Sequence, residues 1–300
     1  MKFISRPMGL LEISGKSRLD LINRMSTNLV SLLKPGEGAA TVLTTDVGRI
    51  IDRIIMYAGE ETAIALTGEA NGDNIARYLL RFVFFNDDFR VTSLGSRFST
   101  LFVYGKDAAS KIGEISGTTI DLPLHHWANI TVSSIELSVH ATDPLDGGGY
   151  MLKIPVGHEE TIVDALTSAG GTLMLESEFD ALRIEAKQPR LRHELTGEFI
   201  PLETGLWEDV SFTKGCYTGQ EIIARLDSRG KIAKQMVQFD TQGPIPVGTE
   251  VMANGKSAGI ITTSAGKRAL GYVKSSVLEK QIALTADEMP IMAVFEPPSG

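Results

Sequence analysis

The 300-residue sequence predicts an α+β fold with mixed or antiparallel sheets, ending in a small β-barrel or sandwich. Three observations carry that expectation. Runs with helix and strand periodicity interleave over the first two thirds of the chain. No glycine fingerprint of the dinucleotide-binding kind opens a helix there, which argues against a doubly wound parallel sheet. After about Ala233 the character changes, and short strand-like runs alternate with Gly, Pro and Asn.

Taken in order, Ser17 to Leu33 places Leu19, Ile22, Met25, Leu29 and Leu32 at steps of three and four, one apolar stripe of a helix that Pro35 and Gly36 end. Ile50 to Tyr57 and Thr62 to Leu66 read as two strands joined by the turn Gly59, Glu60, Glu61. Asn71 to Arg81 reads as helix. Strands are expected at Leu101 to Tyr104, Ile130 to Val139 and Tyr150 to Ile154, and helices at Lys106 to Ile115 and Glu159 to Ser168, the latter closed by Gly170 and Gly171. Barrel strands are expected at Met236 to Phe239, Gly259 to Thr263, Ala269 to Val273 and Met292 to Phe295. The boundary falls near 232 to 235, giving an α+β region over 1–233 and a barrel over 234–300.

Composition narrows the function. With 29 Lys and Arg against 37 Asp and Glu, the net charge is -8, so no global positive field would gather phosphate backbones, and nucleic acid is not expected as a partner. The single cysteine, Cys216, excludes an internal disulfide, an all-cysteine zinc site and a cluster held by four of the chain's own thiolates. No signal peptide or membrane-length apolar run is visible, and a reducing, cytoplasmic setting is the expectation.

Several motifs carry no chemistry. Two GKS tripeptides, at 15–17 and 255–257, lack the glycine of a phosphate loop five residues earlier, where Leu10 and Glu250 stand. Gly147, Gly148 and Gly149 precede a strand, which makes them a turn rather than an anion-binding helix start. His125 and His126 are adjacent and would point to opposite faces of a strand, so no metal site is expected. Asp87 and Asp88 lie between Phe85 and Phe89 in what reads as a solvated turn.

The segment that stands out is KGCYTGQE at 214–221. Thr218 and Glu221 have the spacing of a capping box. A helix starting there would place Cys216 just ahead of its positive end and two residues from Lys214, both of which favour thiolate. The plain alternative is a buried cysteine beside a tight glycine turn.

The stretch LRIEAKQPRLRHELTGEFIPLETGLWEDVSFTKGCYTGQEIIARLDSRGK at 182–231 resembles the signature region of the YgfZ family, folate-binding relatives of the glycine-cleavage aminomethyltransferase. Lys214, Gly215, Cys216, Tyr217, Gly219, Gln220, Glu221 and Arg225 match that motif, and Arg183, Ile184, Glu185, Ala186, Pro189, Glu194, Leu195, Pro201 and Glu203 follow its usual pattern. Residues 15–57 and the stretch GTEVMANGKSAGIITTSAGKRALGY are similar to the two ends of the same superfamily. The likeness spans most of the chain.

The resemblance implies an aminomethyltransferase-like folate-binding fold with a C-terminal β-barrel, a central hole for tetrahydrofolate and a role in iron-sulfur cluster assembly or repair. It also implies reduced folate and cluster-assembly or client proteins as partners, with neither nucleic acid nor membrane. By the same token Cys216 and Lys214 are the candidate catalytic pair, and Asp52, Arg53, Glu194, Tyr217, Glu221 and Arg225 the candidate cofactor-binding residues, with no metal. Lys214 would lower the thiol pKa, Tyr217 and Arg225 would shape the mouth, and Glu221 would cap the helix or orient Arg225. Aminomethyltransferases resemble KGDFIGRE where Cys216 stands, so the cysteine points to the iron-sulfur branch. Their second consecutive acidic residue aligns with Arg53, which follows Asp52 in GRIIDR, and their pteridine-holding carboxylate aligns with Met151. An arginine cannot accept a proton at neutral pH, which disfavours aminomethyl transfer. Asp52 or Asp146 is left as the substitute carboxylate. The alternatives are a folate-dependent aminomethyltransferase and a scaffold that has lost its ligand chemistry.

Overall fold

In the computed structural model, which describes residues 1–229 and 232–295, the alternating apolar runs near the N-terminus pair into two mainly antiparallel sheets. The elements are β1 (Lys2–Ser5), β2 (Met8–Ser14), α1 (Arg18–Met25), β3 (Gly38–Thr44), β4 (Ile50–Ala58), β5 (Thr62–Glu69), α2 (Gly72–Leu80), β6 (Arg90–Ser93), β7 (Phe98–Tyr104), α3 (Ala108–Ser116), β8 (Trp127–Val132), β9 (Ile135–Leu145), β10 (Gly148–Pro155), α4 (Glu159–Ser168) and β11 (Thr172–Leu173). One sheet has the order β3-β4-β5-β2-β6 and the other β11-β1-β7-β10-β9-β8. Only the short β1–β11 pairing in the second sheet is parallel.

One face of the second sheet buries Leu101, Val103, Val139, Leu152 and Ile154 against Ile112 of α3 and Ile162 and Leu166 of α4, forming a single apolar core. Because successive strand residues point to opposite faces, Phe102, Tyr104, His140 and Met151 face the other way. These residues are buried as well. In the first sheet, Gly9 of β2 lets the start of α2 seat directly on the strand, since a Cβ there would run into the backbone of Gly72.

The remaining elements are α5 (Glu176–Glu185), α6 (Gln220–Arg229), β12 (Lys234–Asp240), β13 (Glu250–Ala253), β14 (Lys256–Ala265), β15 (Arg268–Lys274), α7 (Ser275–Glu279), β16 (Leu284–Ala286) and β17 (Met289–Val294). The strands close a barrel in the order β12-β15-β14-β13-β16-β17. Closure leaves no unpaired edge and encloses Val237, Phe239, Val251, Ile261 and Val273. The chain divides into two compact units. Unit 1 holds residues 1–44, 52–175 and 208–218, and unit 2 holds 45–51, 176–207 and everything from 219 onward. Gly230 and Lys231 of the motif stretch, and the last five residues of the expected barrel segment, lie outside the described residues. No helix among the described residues is long and apolar enough to cross a membrane.

The predicted fold class holds, with an α+β part of mainly antiparallel sheets and a closed six-stranded barrel. Two elements differ from expectation. The helix expected over 17–33 stops at Met25, because Ser26, Thr27 and Asn28 turn their side chains onto backbone. Ser26 Oγ donates to Ile22 O at 2.7 Å, and Asn28 Nδ2 donates to Ala40 O at 2.9 Å. Such local bonds compete with the helical ladder, and Leu32 is left exposed. The single strand expected over 130–139 is a hairpin, β8 and β9, whose two-residue turn, Ser133 and Ser134, has φ of 50° and 66°. That is the geometry of a tight hairpin turn, usually read from glycine or asparagine. Asp146 and Gly147 make the corresponding turn between β9 and β10, with φ of 53° and 87°.

Candidate functional site

Asp52 and Arg53 are consecutive on β4 and so face opposite ways. Asp52 is fully buried. Its Oδ2 accepts from the Gly68 N–H at 3.0 Å and from Asn71 Nδ2 at 2.7 Å, which ties β4 to the turn that starts α2. Arg53 is held between two carboxylates. Its Nε donates to Asp209 Oδ2 at 2.5 Å, while Nη1 and Nη2 donate to the two oxygens of Asp143 at 2.6 and 3.1 Å. The side chains of Arg53, Asp143 and Asp209 retain 13%, 23% and 7% of their accessible surface, so the cluster is mostly buried with Asp143 as its open edge.

Burial works against the Arg53 charge, yet Asp143 and Asp209 outweigh it and push its pKa above the ordinary arginine value. Burial likewise opposes ionisation of Asp143, and Arg53 overrides it, holding that carboxyl below the usual aspartate range. His125 shares this field. It is buried, adopts φ of 61°, and its Nδ1 has no hydrogen-bond partner among the described residues. Burial pushes its pKa down. Close by in the fold, Tyr57 meets the edge of His140 at 4.4 Å, and Trp127 stacks on His140 at 5.6 Å. Burial takes the His140 pKa to about 3, which keeps that ring neutral. The Arg53–Asp143 pair thus presents fixed charges.

The second candidate element is Glu208–Thr218, which crosses unit 1 as a strap without regular secondary structure. Lys214 is buried, and its Nζ donates to the carbonyl oxygens of Asn23, Ser26 and Asn28 at 2.7, 2.8 and 2.6 Å. It also lies 5.0 Å from the centre of the Tyr217 ring. Burial lowers its pKa to about 8 and raises that of Tyr217 to about 12. Cys216, between them in sequence, is exposed. The Thr218 hydroxyl contacts Met25 Sδ at 3.7 Å.

Arg53, Lys214, Cys216 and Tyr217 all belong to unit 1, the last three on one strap that Arg53 meets through Asp209. Glu221 and Arg225 lie on α6 in unit 2, both exposed. Glu194 is also in unit 2 and is fully buried, with its carboxylate accepting from Arg183 Nη1, the Arg190 N–H and the hydroxyls of Thr262 and Thr263. Asp87 and Asp88 are engaged too. Asp87 accepts from Arg24 at 2.8 Å, and Asp88 accepts from the Lys16 N–H at 3.1 Å. Sequence reading missed Asp143 and Asp209. The available signal was Arg53 itself, since a cation inside the apolar run IIDRIIMY requires carboxylate partners. Asp146 sits in the β9–β10 turn, and Met151 is fully buried. Among the described residues no group of three His, Cys, Asp or Glu side chains could hold a metal ion.

Residues 5–214 match the family model of the GCVT N-terminal domain, and residues 234–297 match that of the CAF17 C-terminal β-barrel domain. A chloroplastic protein of Arabidopsis thaliana, whose name assigns it provisionally to the transferases, is 24% identical over 97% of this chain and 71% of its own length. The aminomethyltransferase of Bacillus subtilis is 24% identical over 88% of this chain and 75% of its own. Among solved structures, the glycine cleavage system aminomethyltransferase T from Bartonella henselae superposes with a TM-score of 0.85 at 17% identity, covering 99% of this chain and 85% of that one, a likeness of fold.

Proposed function

The chain belongs to the GCVT N-terminal domain family, and we propose on that premise that it is a tetrahydrofolate-binding accessory protein of iron-sulfur cluster assembly or repair, of the YgfZ type, acting through Cys216. The observation that carries this reading is the exposure of Cys216. A structural cysteine beside a glycine turn would be buried and inert, whereas an exposed thiol can meet an iron, a cluster-bearing protein or a one-carbon group. A lone thiol supplies one of the four ligands a cluster needs, so a partner protein or a small thiol supplies the rest.

The donor set around Arg53 suits a reduced folate. Asp143 keeps an open carboxylate edge for the N–H groups of a pterin, and Nδ1 of His125, without a partner among the described residues, offers a further polar contact. When bound there, tetrahydrofolate would supply a one-carbon carrier. Arg53 and Asp143 would orient it by fixed charge. Aminomethyl transfer requires at this place a group that stabilises developing positive charge, and Arg53 brings positive charge instead. The reading therefore keeps folate binding and leaves out transferase turnover.

The test is complementation. In cells lacking the endogenous protein, Cys216→Ala is expected to leave the activities of cluster-dependent enzymes at the deletion level while folding like the parent. Full restoration by the alanine variant would make the motif a purely structural element.

A further inference from the structure

The strap that carries Cys216 has no helix or strand to hold it, so its backbone must be fixed by other groups. At its start Arg53 Nε holds Asp209, Thr27 Oγ1 donates to Asp209 O at 2.6 Å, Asn28 Nδ2 donates to Glu208 O at 3.1 Å, and the Ser211 N–H donates to Thr27 O at 3.0 Å. At its end Lys214 holds three carbonyls, the Thr218 N–H donates to Arg24 O at 3.1 Å, and Thr44 Oγ1 donates to Thr218 O at 2.7 Å. Between these anchors Gly215 faces open space and Cys216 is exposed.

The state of Lys214 is the informative part. An ammonium has three N–H donors. All three are taken by backbone oxygens from the last turn of α1 and the residues just after it, with Asn23 Oδ1 at 3.4 Å as a further neighbour. No donor remains for a thiolate. Two of those carbonyls, Asn23 O and Ser26 O, belong to the negative end of α1, where the helix dipole favours a cation. Arg53 is engaged in the same fashion, its fork shared between Asp143 and the strap's Asp209.

We propose that Lys214 and Arg53 are positioning residues for Cys216, two cations that pin the strap at its two ends, and that Lys214 presents the thiol without setting its ionisation. This deepens the proposed function and rests on its reading of Cys216 as the working thiol. Its test uses only the purified protein, so the two can fail separately. Cys216 is the sole cysteine, and its alkylation by iodoacetamide can be followed against pH beside amide exchange of residues 209–218.

Lys214→Met is expected to raise strap exchange by about tenfold or more, through loss of charge-assisted hydrogen bonds. The apparent pKa of alkylation should stay within about 0.2 of the parent, where direct electrostatic activation would move it by about one unit or more. Lys214→Arg separates the roles further, and serves alone if Lys214→Met does not fold. It keeps the charge but replaces a compact ammonium with a planar fork that cannot reach three converging carbonyls. Positioning predicts raised exchange for Lys214→Arg. Asp209→Asn, which loosens the Arg53 anchor, should raise exchange at 209–211 with the alkylation pKa again unmoved. A pKa that rises in Lys214→Met and returns in Lys214→Arg would overturn the proposal, as would parental strap exchange in the variants.

Discussion

Two arginines held by carboxylates, one in each unit, show how similar ion-pair chemistry can be closed in one place and open-edged in another. Arg183 of α5 is 1% exposed and its partner Glu194 is fully buried. The guanidinium reaches Asp180, Gln188 O, Glu194 and Thr263, while each Glu194 oxygen accepts twice. Nothing is left over for a ligand. Arg53 meets two carboxylates as well, but Asp143 keeps 23% of its surface and His125 Nδ1 beside it lacks a partner among the described residues. The difference lies in saturation. A buried charge whose partners are all satisfied holds the protein together, and one with an open acceptor edge can receive something else.

The largest effect that would break this contrast is in unit 2. Glu194→Ala should cost about 3–5 kcal/mol, because it strands a buried guanidinium and two hydroxyls. Chemical denaturation measures this, and a cost near that of a surface substitution would mean that the cluster is not structural.

Acidification comes next. His140 is held neutral by burial with a pKa of about 3, below the unfolded value of 6.5. Between those limits the unfolded chain binds a proton that the folded one refuses, so stability should fall as pH drops from about 6.5 towards 3. His125 acts in the same direction. Asp143 adds its loss below about the ordinary aspartate value of 3.8, where the unfolded carboxyl takes up a proton while Arg53 still holds the folded one ionised. In melting temperatures taken across this range, His140→Phe should flatten the upper part of the decline. An unchanged slope would show that the ring titrates normally in the fold.

The smallest effect belongs to α6. Glu221 and Arg225 are exposed, so Glu221→Gln and Arg225→Met should each shift stability by no more than about 0.5 kcal/mol. A larger loss by the same denaturation assay would show a capping or orienting role for the pair.

Much of this was legible in the sequence wherever the signal is local. The Glu159–Ser168 helix, the strand that begins at Ile50 and four of the six barrel strands follow from periodicity and turn residues, while the short β13 and β16 went unread. The motif loop stood out by its two glycines, its lone thiol and its T-x-x-E spacing, while the roles expected of it came from the family resemblance. The early end of α1 and the Ser133–Ser134 turn were not, because there polar side chains bond to backbone or adopt left-handed geometry that other residue types signal more strongly. The Arg53 cluster was half legible. Its cation stands in an apolar strand, but its partners lie 90 and 156 positions away, beyond the reach of any periodic pattern. Glu194 was in view as a motif residue, yet only the hydroxyls of Thr262 and Thr263 reveal that its carboxylate is already spent.

The central claim is that the open edge at Asp143 receives a reduced folate. Calorimetric titration with tetrahydrofolate and 5-formyltetrahydrofolate tests it most directly, with Asp143→Asn as the paired variant and Trp207 fluorescence recorded in parallel. The account predicts saturable binding of the parent at about micromolar concentration, weakened about tenfold or more in the variant by loss of a charge-assisted acceptor. Absence of binding up to about millimolar ligand, an affinity no stronger than about 4 kcal/mol, would contradict it.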